Sequence, residues 1–261
     1  MSTLSCIESY VDKDKNYYGC FLIEPLQAGQ GITLGNALRR TLLSDLSGFA
    51  VSGVRINNLK HEFSTIEGLR EDVLEVLLNL KEIIFQSSFL PKFRAKQLKL
   101  ENFQLKGFLS VKGPLVVTAG MFHLPKDMLK IINPNQYICT LVTEDEFYLE
   151  IDIEKGIGYK LTQDARKENL VEKFQISKPA TLYVDALYAP IKRINYKIKL
   201  IHDTQGNIKE SLCFEIFTNG SITPKRSLQE GVKLLLNLFY PLLITNEFFP
   251  ISETFCNNSK K

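Results

Sequence analysis

The stretch Gly31-Ile-Thr-Leu-Gly-Asn-Ala-Leu-Arg-Arg-Thr-Leu-Leu-Ser44 constrains this chain more than any other segment. Its apolar residues recur at helical rather than strand spacing, which predicts a helix entered through Thr33 and running over 34–47. At about 100° per residue, Leu34, Ala37, Leu38, Leu42 and Leu46 fall on one apolar stripe. Asn36, Arg40 and Leu43 fall on roughly the opposite side, with Arg39 at the boundary. Gly31 suits a turn before the helix, and Gly48 is placed to end it. A helix with two chemically distinct faces can pack or dimerise through one and meet a larger partner through the other.

Around this helix the pattern reads as one domain interrupted by another. Tyr17–Leu26 alternates as a strand. From Gly48 the chain changes to short strands: Ala50–Ile56, Gln97–Glu101, Gly107–Val111, Tyr137–Val142 and Phe147–Ile153. One helix breaks this β-rich region, with Ser64 and Glu67 as a capping box and Val73, Leu74, Leu77 and Leu80 at helical spacing. Residues 161–178 are polar and charged and read as a loop. Ile194–Leu200 and Ser211–Phe217 then alternate as a hairpin around Asp203-Thr-Gln-Gly-Asn207. Thr223-Pro224 reads as an N-cap followed by proline at the first helical position. In the helix that follows, Leu228, Val232, Leu235, Leu236 and Phe239 form an apolar series, and Pro241 predicts a break near its end.

Composition narrows the class of function. The 261 residues suffice for a substantial core. A formal net charge of +3, spread among acidic residues, is too weak for a nucleic-acid footprint of its own. Cys6, Cys20, Cys139, Cys213 and Cys256 form no C-x-x-C pair, which argues against zinc and suits inert thiols in a reducing compartment. His61, His123 and His202 are equally scattered and read as surface or polar-network groups. No apolar run approaches the roughly 18 residues of a membrane span. The tight acidic clusters, Glu71-Asp72 and Glu144-Asp-Glu146, read as a helix start and a turn, so no catalytic carboxylate set emerges. Gly31, Gly35, Gly156 and Gly158 lack the lysine of a phosphate-binding loop. No catalytic, cofactor or metal residues are expected.

Several motifs carry a family resemblance. Leu34-Gly-Asn-Ala-Leu-Arg-Arg40 resembles the signature of the α subunit of bacterial-type DNA-directed RNA polymerase. His61-Glu-Phe-Ser-Thr-Ile-Glu-Gly68 with Glu71–Lys81 resembles that family's second signature. Gly113-Pro with Val117-Thr-Ala119, Gly156-Ile-Gly-Tyr159, Val184-Asp-Ala-Leu-Tyr-Ala-Pro190 and Thr218-Asn-Gly-Ser-Ile-Thr-Pro224 follow in the family's order. The resemblance covers roughly residues 5–240.

The resemblance implies an α+β fold: a dimerisation domain formed from both chain ends (1–47 and 191–245) around an inserted β-rich domain (48–190). It implies a homodimer that scaffolds assembly of the polymerase β and β′ subunits. The chain then belongs to a nucleotidyltransferase without supplying its active site. The dimer interface would use Leu34, Leu38, Leu42, Leu228, Val232, Leu235, Leu236 and Phe239, burying on the order of 2,000 Å² or more. Asn36, Arg39, Arg40 and Leu43 would contact β; Lys81 and Val184 would contact β′. DNA would be met only through the holoenzyme, and no membrane is involved. The tail 246–261 is too short for the family's C-terminal DNA-binding domain, which is expected to be absent, the alternative being a sequence that stops short of it. That expectation, the wording of 61–85, the Lys-, Asn-, Ile- and Phe-rich usage and the lack of a transit peptide point to the stroma of a plastid such as a chloroplast, with a bacterial cytoplasm as the alternative. The functional alternative is a free-standing homodimeric regulator of the same fold that joins no polymerase.

Overall fold

A computed structural model describes residues 2–13, 15–57, 59, 61–87, 104–125, 128–163, 181–202 and 206–244. The order of elements is β1 (Thr3–Val11), β2 (Tyr17–Leu26), α1 (Gln30–Ser44), β3 (Ser47–Ile56), α2 (Val73–Lys81), β4 (Phe85–Ser87), β5 (Gln104–Lys112), β6 (Leu115–Thr118), β7 (Leu129–Ile131), β8 (Tyr137–Leu141), β9 (Glu146–Ile157), β10 (Tyr159–Lys160), β11 (Leu182–Tyr183), β12 (Ala186–Leu187), β13 (Ile191–His202), β14 (Ile208–Thr218) and α3 (Pro224–Ile244). The expected strand at Gln97–Glu101, residues 164–178 of the polar stretch and the tail beyond Ile244 lie outside the described residues.

The two chain ends meet in one antiparallel sheet of order β1-β2-β14-β13. Strand residues alternate sides, so Phe21 of β2 and Phe214 and Ile216 of β14 share one face with Ile194 of β13. That face is covered by α1 and α3, and the core between them is completed by Leu38, Leu42, Leu46 and Leu228. The helices approach closely because position 231 is glycine: a β-carbon there would lie 2.7 Å from Cδ2 of Leu42.

The middle of the chain builds a second sheet of order β11-β3-β9-β5, with the pairs β4-β7 and β6-β8 beside it. Phe147, Leu149, Ile151 and Ile153 of β9 point into a larger core with Val54 and Ile56 of β3, and α2 adds Val73, Val76, Leu77 and Leu80. Asp152 is also buried, but its carboxylate receives both terminal nitrogens of Arg55, at 3.3 and 2.7 Å, which compensates its desolvation. A small third cluster of Ala50, Ala186 and Tyr188 sits where β3 and β12 meet.

Local expectations needed correction where tertiary partners intervene. α1 starts at Gln30, earlier than Thr33, because Gly29 takes the left-handed conformation (φ 83°) at its N-terminus. Gly31 therefore lies inside the helix, and Gly48 lies in β3, after α1 has ended at Ser44. Ser64 and Glu67 do not cap α2: the Ser64 hydroxyl meets the His61 ring at 3.1 Å, and the N-cap is Asp72. Leu74 is 50% exposed; Val76 takes its expected place in the core. Pro241 does not end α3, which runs on to Ile244. The carbonyl that Pro241 leaves without a helical N–H belongs to Asn237, an exposed residue that water can reach.

Candidate subunit interfaces

The first surface is built on α1. No side chain of α1 caps its N-terminus. A carboxylate far away in sequence does so: Glu210 of β14 accepts the N–H of Gly29 at 2.8 Å and that of Gly31 at 2.8 Å. A negative charge there satisfies otherwise unpaired donors and favours the helix dipole. It also fixes the rotation of α1 on the sheet. The apolar stripe turns inward, with Leu38 and Leu42 essentially unexposed, while Asn36, Arg39, Arg40 and Leu43 are exposed on the other side. Ile32, 53% exposed, joins this outer face one turn before Asn36, a member that sequence reasoning missed. Asn36 is held from its own protomer, since the Tyr196 hydroxyl donates to its Oδ1 at 2.7 Å. Arg39 and Arg40 form no ion pair among the described residues.

The second surface is the far end of α3. The helix begins at Pro224, and the N–H of Ser227 donates to the Thr223 carbonyl at 2.9 Å. Leu228 is buried against the sheet, and Leu34 and Leu235 are partly buried against the same core. Further along, Val232, Leu236, Leu238, Phe239, Tyr240 and Leu242 are 40–71% exposed. The expected dimer residues therefore separate into two groups, with Leu34 and Leu235 half-buried between them. Leu38, Leu42 and Leu228 fill the protomer's own core and have no surface left for a second subunit. Val232, Leu236 and Phe239 are open.

The third surface lies on the inserted β-rich part. Lys81 ends α2, its Nζ 3.8 Å from Oδ2 of Asp185, between β11 and β12. Asp185 accepts the Thr162 hydroxyl at 2.6 Å and the Thr162 N–H at 2.9 Å. The hydroxyl of Thr162, then its N–H, with Lys81 adding, hold the Asp185 carboxyl below the usual carboxylate range. Leu74 and Leu78 flank Lys81 on the exposed side of α2. Val184 does not share this exposure. It is buried at 7%, its N–H bound to the Ser52 carbonyl, so the accessible neighbour of Lys81 is Asp185. Asp185 stands inside a motif visible in the sequence, but its pairing with Lys81 reaches from α2 to the link between β11 and β12 and leaves no local signal.

The structure does not bring the α1 face and Lys81 together: α1 packs on β13, β14 and α3, whereas α2 packs on β8 and β3. Among the described residues no group of three or more His, Cys, Asp or Glu side chains is arranged to hold a metal ion. No helix among the described residues is long and apolar enough to cross a membrane.

Residues 54–189 match the RNA polymerase Rpb3/RpoA insert domain, which places the chain in a class of RNA polymerase subunit. Sequence relatives narrow the class. The chain is 44% identical over 239 residues to the DNA-directed RNA polymerase subunit alpha of Pyropia yezoensis, covering 92% of this chain and 70% of the relative. It is 42% identical over 258 residues to that of Porphyra purpurea (99% and 76%), and 41% over 260 residues to that of Mesostigma viride (99% and 76%). The chain belongs to the family of DNA-directed RNA polymerase α subunits, components of a multisubunit nucleotidyltransferase.

Proposed function

We propose that two copies of this chain pair through α3 and that the dimer is the scaffold on which β and then β′ assemble. The observation that carries this reading is the run of six exposed large apolar side chains over Val232–Leu242, on a helix whose first turns are already packed. Such a surface is costly to leave in water and is characteristic of an interface. The outer face of α1, with Arg40 and Arg39 beside Leu43, suits a partner that offers carboxylates or carbonyls around an apolar contact. On this reading Asn36, Arg39, Arg40 and Leu43 meet β, while Lys81 meets β′ with Asp185 beside it. DNA is reached only through the complete enzyme, to which this chain contributes no catalytic group. The algal relatives support a plastid address. Affinity purification of the tagged chain from its native extract tests the reading. Recovery of two very large chains with two copies of the bait is the expected result; a bait recovered as a lone dimer refutes it.

A further inference from the structure

Cys20 of β2 and Cys213 of β14 lie 193 positions apart in the chain, yet their sulfur atoms are 3.2 Å apart. They sit diagonally on adjacent strands, Cys20 opposite Glu215 and Cys213 opposite Leu22. Both alternate with core residues, Phe21 and Phe214, so the pair occupies the sheet face opposite α1 and α3. Cys20 is buried, whereas Cys213 is partly open to solvent. A disulfide requires sulfurs about 2 Å apart and β-carbons about 3.8 Å apart, so closure draws the sulfurs together by roughly 1 Å and shifts the two diagonal strand positions toward each other.

We propose that Cys20 and Cys213 form a reversible modification site, closing a disulfide by exchange with a small-molecule disulfide of the glutathione class. The Cys213 thiolate attacks one sulfur of that disulfide, forming a mixed disulfide and expelling one small thiol, which takes up the Cys213 proton by way of solvent. Cys20 then attacks Sγ of Cys213, and the second small thiol leaves with the Cys20 proton. Two electrons pass from the cysteine pair to the small disulfide. The order follows from access, because only Cys213 is open to the reagent. It agrees with the acidity of Cys20, whose thiol is pushed up to about 11, first by burial and then by Cys213 itself. Such a thiol is mostly protonated near neutral pH, which makes Cys20 the weaker first nucleophile of the pair.

The bond would staple the strand pair of one chain end to that of the other, across the sheet on which the helices pack. It would leave the exposed faces of α1 and α3 untouched. Closing so long a loop restricts the unfolded chain.

Treatment of the purified full chain with excess oxidised glutathione, followed by digestion without reductant, reads the site directly. The expected product is a peptide pair joining Cys20 to Cys213, abolished by dithiothreitol and formed equally by Cys6→Ser. In Cys20→Ser a glutathione adduct accumulates on Cys213; in Cys213→Ser Cys20 remains unmodified. Thermal unfolding of the oxidised wild type moves up by about 5–10 °C, a shift missing in both single variants. Glutathione adducts on Cys213 of the wild type with no cross-link, adducts on Cys20 in Cys213→Ser, or both thiols staying reduced while exposed Cys6 is modified would overturn the proposal.

Discussion

The ring of Tyr188 occupies the space that a side chain at position 156 would need: a β-carbon on Gly156 would stand 2.5 Å from Cε2 of Tyr188. Gly156 lies near the end of β9, paired with Gly48 of β3, and the N–H of Tyr188 donates to the Gly158 carbonyl at 2.9 Å. The contact packs the segment after β12 against the end of β9, beside its partner β3. Gly156→Val therefore destabilises the chain by about 1–3 kcal/mol through overpacking. Gly158→Ala, where no atom lies within 4 Å of an added β-carbon, meets no steric block but strains a left-handed backbone (φ 68°) and costs less, about 1 kcal/mol. Denaturant unfolding of the two variants checks the ranking.

On the proposed pairing through α3, dimerisation and folding separate along the same apolar series. Leu236 and Phe239 are 62% and 55% exposed in the protomer, so Leu236→Glu with Phe239→Glu leaves the fold intact and yields monomers in sedimentation. Leu42 is fully buried, and Leu42→Ala costs about 2–5 kcal/mol of stability. Unchanged dimers of the double variant at low micromolar concentration would remove α3 from the interface.

Arg40 is exposed on the face of α1 away from the core. Arg40→Ala should fold and dimerise as the wild type does, yet lose about 30- to 1,000-fold in affinity for β, the cost of truncating an arginine at a desolvated contact. A solvated arginine would lose almost nothing. Titration of purified β onto the variant dimer distinguishes the two.

Lys81→Ala breaks a half-exposed ion pair, worth no more than about 1 kcal/mol to folding. The expected loss is in recruitment of β′ to the preformed α–β complex, with dimer and β capture intact. Val184→Arg is no equivalent probe, because Val184 is buried and an arginine there damages the core before it reaches any interface. Full β′ recovery by Lys81→Ala in a pull-down refutes the assignment.

Glu71 supplies a pH test. Burial works against its charged form, but the Tyr137 hydroxyl, the Thr140 N–H, its own backbone N–H and the charge of Arg70 together hold the carboxyl below its ordinary value. A carboxylate whose folded pKa is depressed contributes stability that is present above its unfolded pKa and lost as pH falls through the folded one. Glu71→Gln should therefore cost about 1–2 kcal/mol near neutrality. The difference from wild type should vanish only below the ordinary glutamate range, about pH 4. Parallel urea titrations at neutral and strongly acidic pH measure it.

Local pattern alone marked α1, α2, α3 and the strands β2, β3, β5, β8, β9, β13 and β14, but not β1 or the short strands β4, β6, β7 and β10 to β12. The spacing of Leu34, Leu38, Leu42 and Leu46 placed the inner stripe of α1, and put Asn36, Arg40 and Leu43 outside it. The alternation of Ile194–Leu200 and Ser211–Phe217 defined the β13–β14 hairpin, and Thr223-Pro224 marked the start of α3. Periodicity records that a surface avoids water, but not what covers it. Tertiary structure alone decided that Leu38, Leu42 and Leu228 are spent within the protomer while Leu236 and Phe239 stay open, because that depends on where α1 and α3 cross the sheet. It also decided where α1 begins, since the Glu210 carboxylate that caps it lies 181 positions from Gly29. Val184 and Asp185 are neighbours in one strand-like motif, yet packing buries the first and leaves the second beside Lys81. Such pairings join residues far apart in the chain, and no local window contains both partners.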